Sequence, residues 1–177
     1  MDALTRRTAL TAAAGLSGCA TLPVRAMAAN ESSEQERNIA AIRAAIEDRN
    51  RNDVPAFVAR HSQDFANFGR VVGRAGLEAT VRDIITTFPD GHYVIEDIVA
   101  SRNIVVARST FSATHLGIGR RPVNGGMLVG VAPTGRSFSI QHMHWYTLRE
   151  GLIVAHTACR DDIGMMVQLG LLTLPTP

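Results

Sequence analysis

Ser137-Phe138-Ser139-Ile140-Gln141-His142-Met143-His144-Trp145-Tyr146-Thr147-Leu148-Arg149 alternates with period two along its length. Successive side chains of a strand point to opposite faces of a sheet. One face therefore carries Phe138, Ile140, His142, His144, Tyr146 and Leu148, and the other carries Ser139, Gln141, Met143, Trp145 and Thr147. The first set is the more apolar and is expected to face inward, with two imidazoles at its centre. A strand of this length belongs to a sheet, and long strands twist and curl.

The same period is read at His92–Ser101, Ile104–Leu116, Met127–Ala132 and Leu152–Arg160. Ser101-Arg102-Asn103, Pro133-Thr134-Gly135 and Arg149-Glu150-Gly151 separate these strands as turns, which predicts antiparallel hairpins in meander order. Upstream the period is helical. Ser33-Glu34-Gln35-Glu36 reads as a capping box that opens a helix, with Ile39, Ile42 and Ile46 on one face. Asp53-Val54-Pro55 reads as an N-cap followed by proline in the first turn of a short helix ending near His61. Ser62 to Arg74 reads as a loop. A third helix runs from Leu77 to Phe88, with Leu77, Val81, Ile84, Ile85 and Phe88 as its buried stripe. Pro89-Asp90-Gly91 stops it. A C-terminal helix is expected from Ile163 to about Leu171. Helices followed by a long antiparallel sheet make an α+β domain. Helices laid across a strongly curved sheet leave a cone-shaped cavity.

Residues 1–28 read as an export signal, which leaves residues 29–177 as one domain. Arg6-Arg7 precede the alanine-rich run from Ala9 to Leu22, a twin-arginine pattern of the Tat route. Ala26-Met27-Ala28 suits cleavage before Ala29. Leu16-Ser17-Gly18-Cys19 resembles a lipobox that would lipidate Cys19. The expected location is therefore outside the inner membrane, periplasmic or secreted, without a membrane span.

The chain has no lysine, which excludes Schiff-base chemistry and a phosphate-loop lysine. Setting aside Asp2, Arg6, Arg7 and Arg25, the 18 basic and 16 acidic residues fall to 15 of each. A neutral, scattered charge set is no nucleic-acid footprint. Cys19 and Cys159 are the only cysteines, so no disulfide scaffold is expected.

The candidate chemistry centres on the last two strands. If the odd-numbered face of the final strand (Ile153, Ala155, Thr157, Cys159, Asp161) points inward, Asp161 meets His142 and His144 in one pocket. An aspartate in apolar surroundings has its pKa raised and can exchange protons near neutrality. A neighbouring histidine can stabilise a developing enolate, so the set suits proton abstraction beside a carbonyl. The competing reading is structural. Inward histidines commonly pack with satisfied nitrogens, and Asp161 precedes Ile163 as an N-cap would. His92 and His115 stand near turns. His61 and His156 read as structural or solvent-facing, and Tyr93, Tyr146 and Trp145 as packing. His142-x-His144 alone is a fragment of a zinc site without further ligands. Cys159 on a strand reads as inert.

Several segments also carry a family resemblance. They are Phe88-Pro89-Asp90-Gly91-His92, Ile95-Glu96-Asp97-Ile98-Val99-Ala100, Val105-Val106-Ala107-Arg108, Thr114-His115-Leu116-Gly117, Pro133-Thr134-Gly135-Arg136 and Asp161-Asp162-Ile163-Gly164 with Gln168-Leu169-Gly170. In this order they resemble SnoaL-like polyketide cyclases over roughly residues 35–170. The resemblance implies a nuclear transport factor 2-like fold, a cone-shaped α+β barrel. It implies ring closure by intramolecular aldol condensation, without metal or cofactor. It places the general acid/base at Asp161, a pocket histidine at His144 and a pocket asparagine at Asn67. Phe68 stands where the family often has a histidine, Thr157 where a tryptophan is common, and Ala155 where a glutamate is usual.

The expectation is a cofactor-independent cyclase for an apolar carbonyl ligand. Asp161 and His144 would be catalytic, and His142, Asn67, His92, His115 and Tyr146 would contact the substrate. A dehydratase or isomerase would use the same acid/base pair. The alternative is an exported small-molecule binding module without catalysis, or a homo-oligomer that meets its partner through Met143, Trp145 and Thr147.

Overall fold

The computed structural model describes residues 24–122 and 127–175. The twin-arginine pair, the alanine run and Cys19 lie outside the described residues. Among the described residues no helix is long and apolar enough to cross a membrane.

Helix α1 (Val24–Asn50) starts upstream of the expected capping box. Ser33 does not open the helix, and its hydroxyl instead accepts a bond from Arg37 Nη1 at 3.1 Å. The helix is pinned across the sheet by two asparagines. The Asn38 amide donates to the Arg102 carbonyl at 3.0 Å. The Asn50 amide exchanges two 2.8 Å bonds with the backbone of Tyr93. Ile42, Ala45 and Ile46 form its buried stripe. Helix α2 (Val54–Ala59) is built as expected, with Asp53 accepting from the Ala56 amide and Pro55 in the first turn.

The segment read as a loop pairs as strands. β1 (His61–Asn67) and β2 (Arg70–Val71) form a tight hairpin whose two turn residues, Phe68 and Gly69, both have positive φ, 49° and 75°. That is the hand of turn which matches strand twist. Its usual sequence signal is Asn-Gly, and a phenylalanine at the first position conceals it.

Helix α3 (Gly73–Thr87) begins one turn earlier than expected. Strands β3 (His92–Ser101), β4 (Ile104–Thr114), β5 (Ser137–Arg149) and β6 (Leu152–Arg160) follow as an antiparallel meander. The expected strand Met127–Ala132 does not form. Gly130 has φ 73°, and only a single bridge joins Gly119 to Val129. Helix α4 (Asp162–Gln168) closes the domain.

The sheet order is β2-β1-β6-β5-β4-β3. β1 runs parallel to β6, so the sheet is mixed rather than wholly antiparallel. It is curved and does not close. Two cores flank its concave side. One gathers Ile42, Ile46, Leu77, Val81 and Val105 beneath α1 and α3. The other gathers Phe88, Phe111, Phe138, Met165 and Leu169 beneath α4. Gln168 fixes α4 by exchanging two bonds with the Ser139 backbone, at 2.9 and 3.1 Å, where β5 has run past the end of β6. The opposite face of the sheet exposes Met143 and Trp145.

Candidate functional site

A cavity of about 150 Å3 lies between the two cores. β5 supplies its central wall. His142, His144 and Tyr146 point inward as the alternation predicts, each less than 8 % exposed. Room for the imidazoles comes from β4, which sets Ala107 opposite His144 and Ser109 opposite His142.

The inward face of β6 corrects the sequence reading. β6 pairs Leu148 with Ile153 but Thr147 with Ala155, so Val154 is an extra residue in the ladder. A bulge of this kind moves every later side chain to the other face. Beyond it His156, Ala158 and Arg160 line the cavity, while Thr157 and Cys159 are exposed. Asp161 is exposed as well and does not line the cavity. Its carboxylate caps α4, accepting from the Gly164 amide at 2.8 Å. The expectation that it shares a pocket with His144 is thus overturned. The inward residue opposite His144 is Ala158, and among the described residues no aspartate or glutamate lines the cavity.

What His144 meets instead is His156, which sequence reasoning set aside as structural or solvent-facing. Asn67, at the end of β1, pairs in register with His156. The His156 Nδ1–H donates to Asn67 Oδ1 at 3.0 Å, since a carbonyl oxygen can only accept. A neutral imidazole carries one N–H, so His156 Nε2 must accept. Its partner, His144 Nδ1, lies 3.0 Å away and must therefore be the donor. This leaves His144 Nε2 with a bare lone pair, buried and without a hydrogen-bond partner. The hydrogen-bond chain selects the tautomer. Both ring nitrogens of His142 are likewise buried and unpartnered.

Burial keeps these imidazoles neutral. It lowers the pKa of His144 to about 4 and that of His142 to about 3. His156 is pushed well below its ordinary value by burial first, with His144 adding to it. His61, also dismissed from sequence, lines the cavity and falls to about 4 by burial, although its Nδ1–H donates to the Phe57 carbonyl at 2.9 Å. Burial raises the Tyr93 and Tyr146 phenols, so both stay protonated at neutral pH.

Aromatic rings frame the set. Tyr146 stacks on His144 with centroids 5.7 Å apart. Tyr93 stands edge-on to both His142 and His144. Phe68 lies 47 % exposed at the rim, edge-on to His156, and the Arg160 guanidinium carbon sits 5.7 Å from its ring centroid.

Of the residues expected at the site, His142, His144, Asn67 and Tyr146 line the cavity, while His92 and His115 do not. His92 is exposed at the start of β3. His115 is fully buried behind Phe88, and its Nδ1 accepts from the Thr134 amide at 3.3 Å, which ties down the loop before β5. Among the described residues, no three histidine, cysteine or acidic side chains converge as metal ligands would.

The arrangement is a neutral, oriented imidazole in a cavity that no aspartate or glutamate among the described residues lines. Comparison with known proteins agrees with the fold around it. The chain resembles TsrD from Streptomyces laurentii, with 24 % identity, 77 % of this chain and 97 % of that one covered, and a TM-score of 0.66. It resembles IdmH from Streptomyces antibioticus, a proposed polyketide cyclase, with 24 % identity, coverage of 75 % and 98 %, and a TM-score of 0.62. AclR from Streptomyces galilaeus, a proposed hydroxylase, is 22 % identical over 80 % of this chain and 90 % of its own, with a TM-score of 0.66. No curated protein matches the chain in sequence. These likenesses establish the nuclear transport factor 2-like fold. The model of the SnoaL-like polyketide cyclases matches residues 39–169. By that match, and by the fold that carries it, the chain belongs to the SnoaL-like polyketide cyclase family.

Proposed function

We propose that this domain is a cofactor-independent cyclase in which His144, rather than Asp161, moves the proton. The observation that carries the proposal is the Asn67–His156–His144 chain, which leaves one bare, buried nitrogen on an imidazole that lines the cavity. Nε2 of His144 takes a proton from the carbon beside a carbonyl, and the C–H electron pair moves into an enolate. The enolate carbon then attacks a second carbonyl of the same molecule. One carbon–carbon bond forms, and the new alkoxide regains the proton from His144. When His144 becomes cationic its Nδ1–H bond to the neutral His156 becomes charge-assisted, and the His156–Asn67 bond polarises with it. The Arg160 guanidinium at the rim favours the developing oxyanion.

A second reading, capture of an apolar ligand without turnover, is favoured by one observation. An imidazole with a pKa of about 4 is a weak base until something beside it stabilises its cation. One experiment separates the two readings. An aryl diketone is incubated with the protein in heavy water, and deuterium uptake beside the carbonyl is followed together with ring closure. The cyclase reading expects both to be accelerated, His144→Gln to lower both by about 10²- to 10⁴-fold, and Asp161→Asn to change neither. Full rates in His144→Gln would reject His144 as the base. Binding without acceleration by the wild-type protein would establish the second reading.

A further inference from the structure

We infer that the ligand of this cavity carries a carboxylate, which the buried guanidinium of Arg49 binds while the ligand's apolar body lies along the aromatic wall toward His144. The inference rests on the reading of the same cavity as a ligand site, and adds the chemical class of what enters it.

Arg49 closes the last turn of α1 and is only 5 % exposed. Its Nη1 donates to Asn52 Oδ1 at 3.1 Å. Its Nη2 is buried, has no hydrogen-bond partner, and belongs to a side chain that lines the cavity. The adjacent carboxylate of Asp48 cannot serve, because it is bound by Arg51 and Arg60. Among the described residues no acidic side chain lines the cavity and none forms an ion pair with Arg49. A second guanidinium, Arg160, lines the same space, paired only loosely with Asp162 at 3.5 Å. With its histidines neutral, the cavity therefore holds an excess of positive charge.

A guanidinium taken out of water without a counter-ion is costly. Among the described residues the interior supplies no counter-ion, which leaves the ligand as the source. The unpartnered Nη2 of Arg49 suits an oxygen of one compact anion. The neighbouring walls, which include Ile46, Phe57 and Phe111, suit an apolar remainder. These features together favour an apolar carboxylic acid, with its anion at Arg49 and its apolar body on these walls. Such an anion would also stabilise the imidazolium that forms at His144 when it takes a proton.

The test compares naphthoate with naphthamide, which match in size and differ in charge, by calorimetric titration of the purified protein at neutral pH and low salt. The wild-type protein should bind the acid about tenfold or more tightly than the amide. Arg49→Met should abolish that preference, chiefly through loss of affinity for the acid. Arg49→Lys should retain part of the preference. Should Arg49→Met fail to fold, Arg49→Gln replaces it, and the wild-type comparison stands without either variant. His144→Gln should keep the preference for the acid while it loses deuterium exchange, so failure here is distinguishable from failure of the proposed base. Equal affinity of acid and amide in the wild-type protein, or a preference that survives in folded Arg49→Met, would overturn the inference.

Discussion

Asp161 and His156 exchange the roles that the sequence suggested for them. Asp161 is a helix cap, and Gly164 is the residue that admits it. A Cβ at position 164 would lie 2.1 Å from Asp161 Oδ2, so only glycine lets the carboxylate reach the amide. The Asp161→Ala change should therefore act on stability, at about 1 kcal/mol, the usual worth of a side-chain cap. Chemical denaturation should show that loss, and the rate of deuterium exchange per folded molecule should stay at the wild-type level. A rate that collapsed with the cap would return Asp161 to the reaction. His156 is the counterpart. Its ring reads as incidental in a strand, and only its two partners, Asn67 on β1 and His144 on β5, give it a role.

At the scale of elements, the β1–β2 hairpin and the bulge in β6 build the site. The hairpin's turn holds Phe68 at φ 49°, a conformation that bulky residues seldom adopt. The ring is held at the rim by Arg160 and His156. Phe68→Asn should relieve the backbone while it removes the rim. The expected result is a melting temperature equal to or above that of the wild-type protein, together with weaker naphthoate binding. A variant that lost stability and kept full binding would show that the ring supports the fold and not the ligand. The bulge at Val154 has the larger effect, because it decides which half of β6 sees the cavity. Without it, Asp161 would face inward and Arg160 outward.

At the scale of the whole molecule, four neutral histidines in one interior tie stability to pH. His61 and His144 titrate at about 4 in the folded protein and His142 at about 3, with His156 also held well below its ordinary value. Burial is the leading cause for each. In the unfolded chain they titrate near 6.5. As pH falls below about 6.5 the unfolded chain takes up protons that the folded one refuses. Stability is therefore full above that point and is lost as pH falls toward about 4. Thermal melts across this range should show a steep decline, and His142→Phe should make it shallower. A melting temperature that stayed level from neutrality to about pH 4 would contradict burial of the neutral rings.

Much of the architecture was legible in the chain because it is local. Period-two alternation placed β3, β4, β5 and β6, and it put His142, His144 and Tyr146 on the inward face of β5. Asp53 and Pro55 announced α2. The ordered segments from Phe88 to Gly170 announced the family. What tertiary structure decided was non-local. The parallel pairing of β1 with β6 brings Asn67 to His156, residues far apart in the chain. A single extra residue in β6, flanked by neither glycine nor proline, reversed the parity on which the position of Asp161 depended. Gly130, with its positive φ, broke a run that alternation alone read as a strand. Side-chain period is a property of neighbouring residues, whereas register is a property of two strands, and the chemistry of this cavity follows from register.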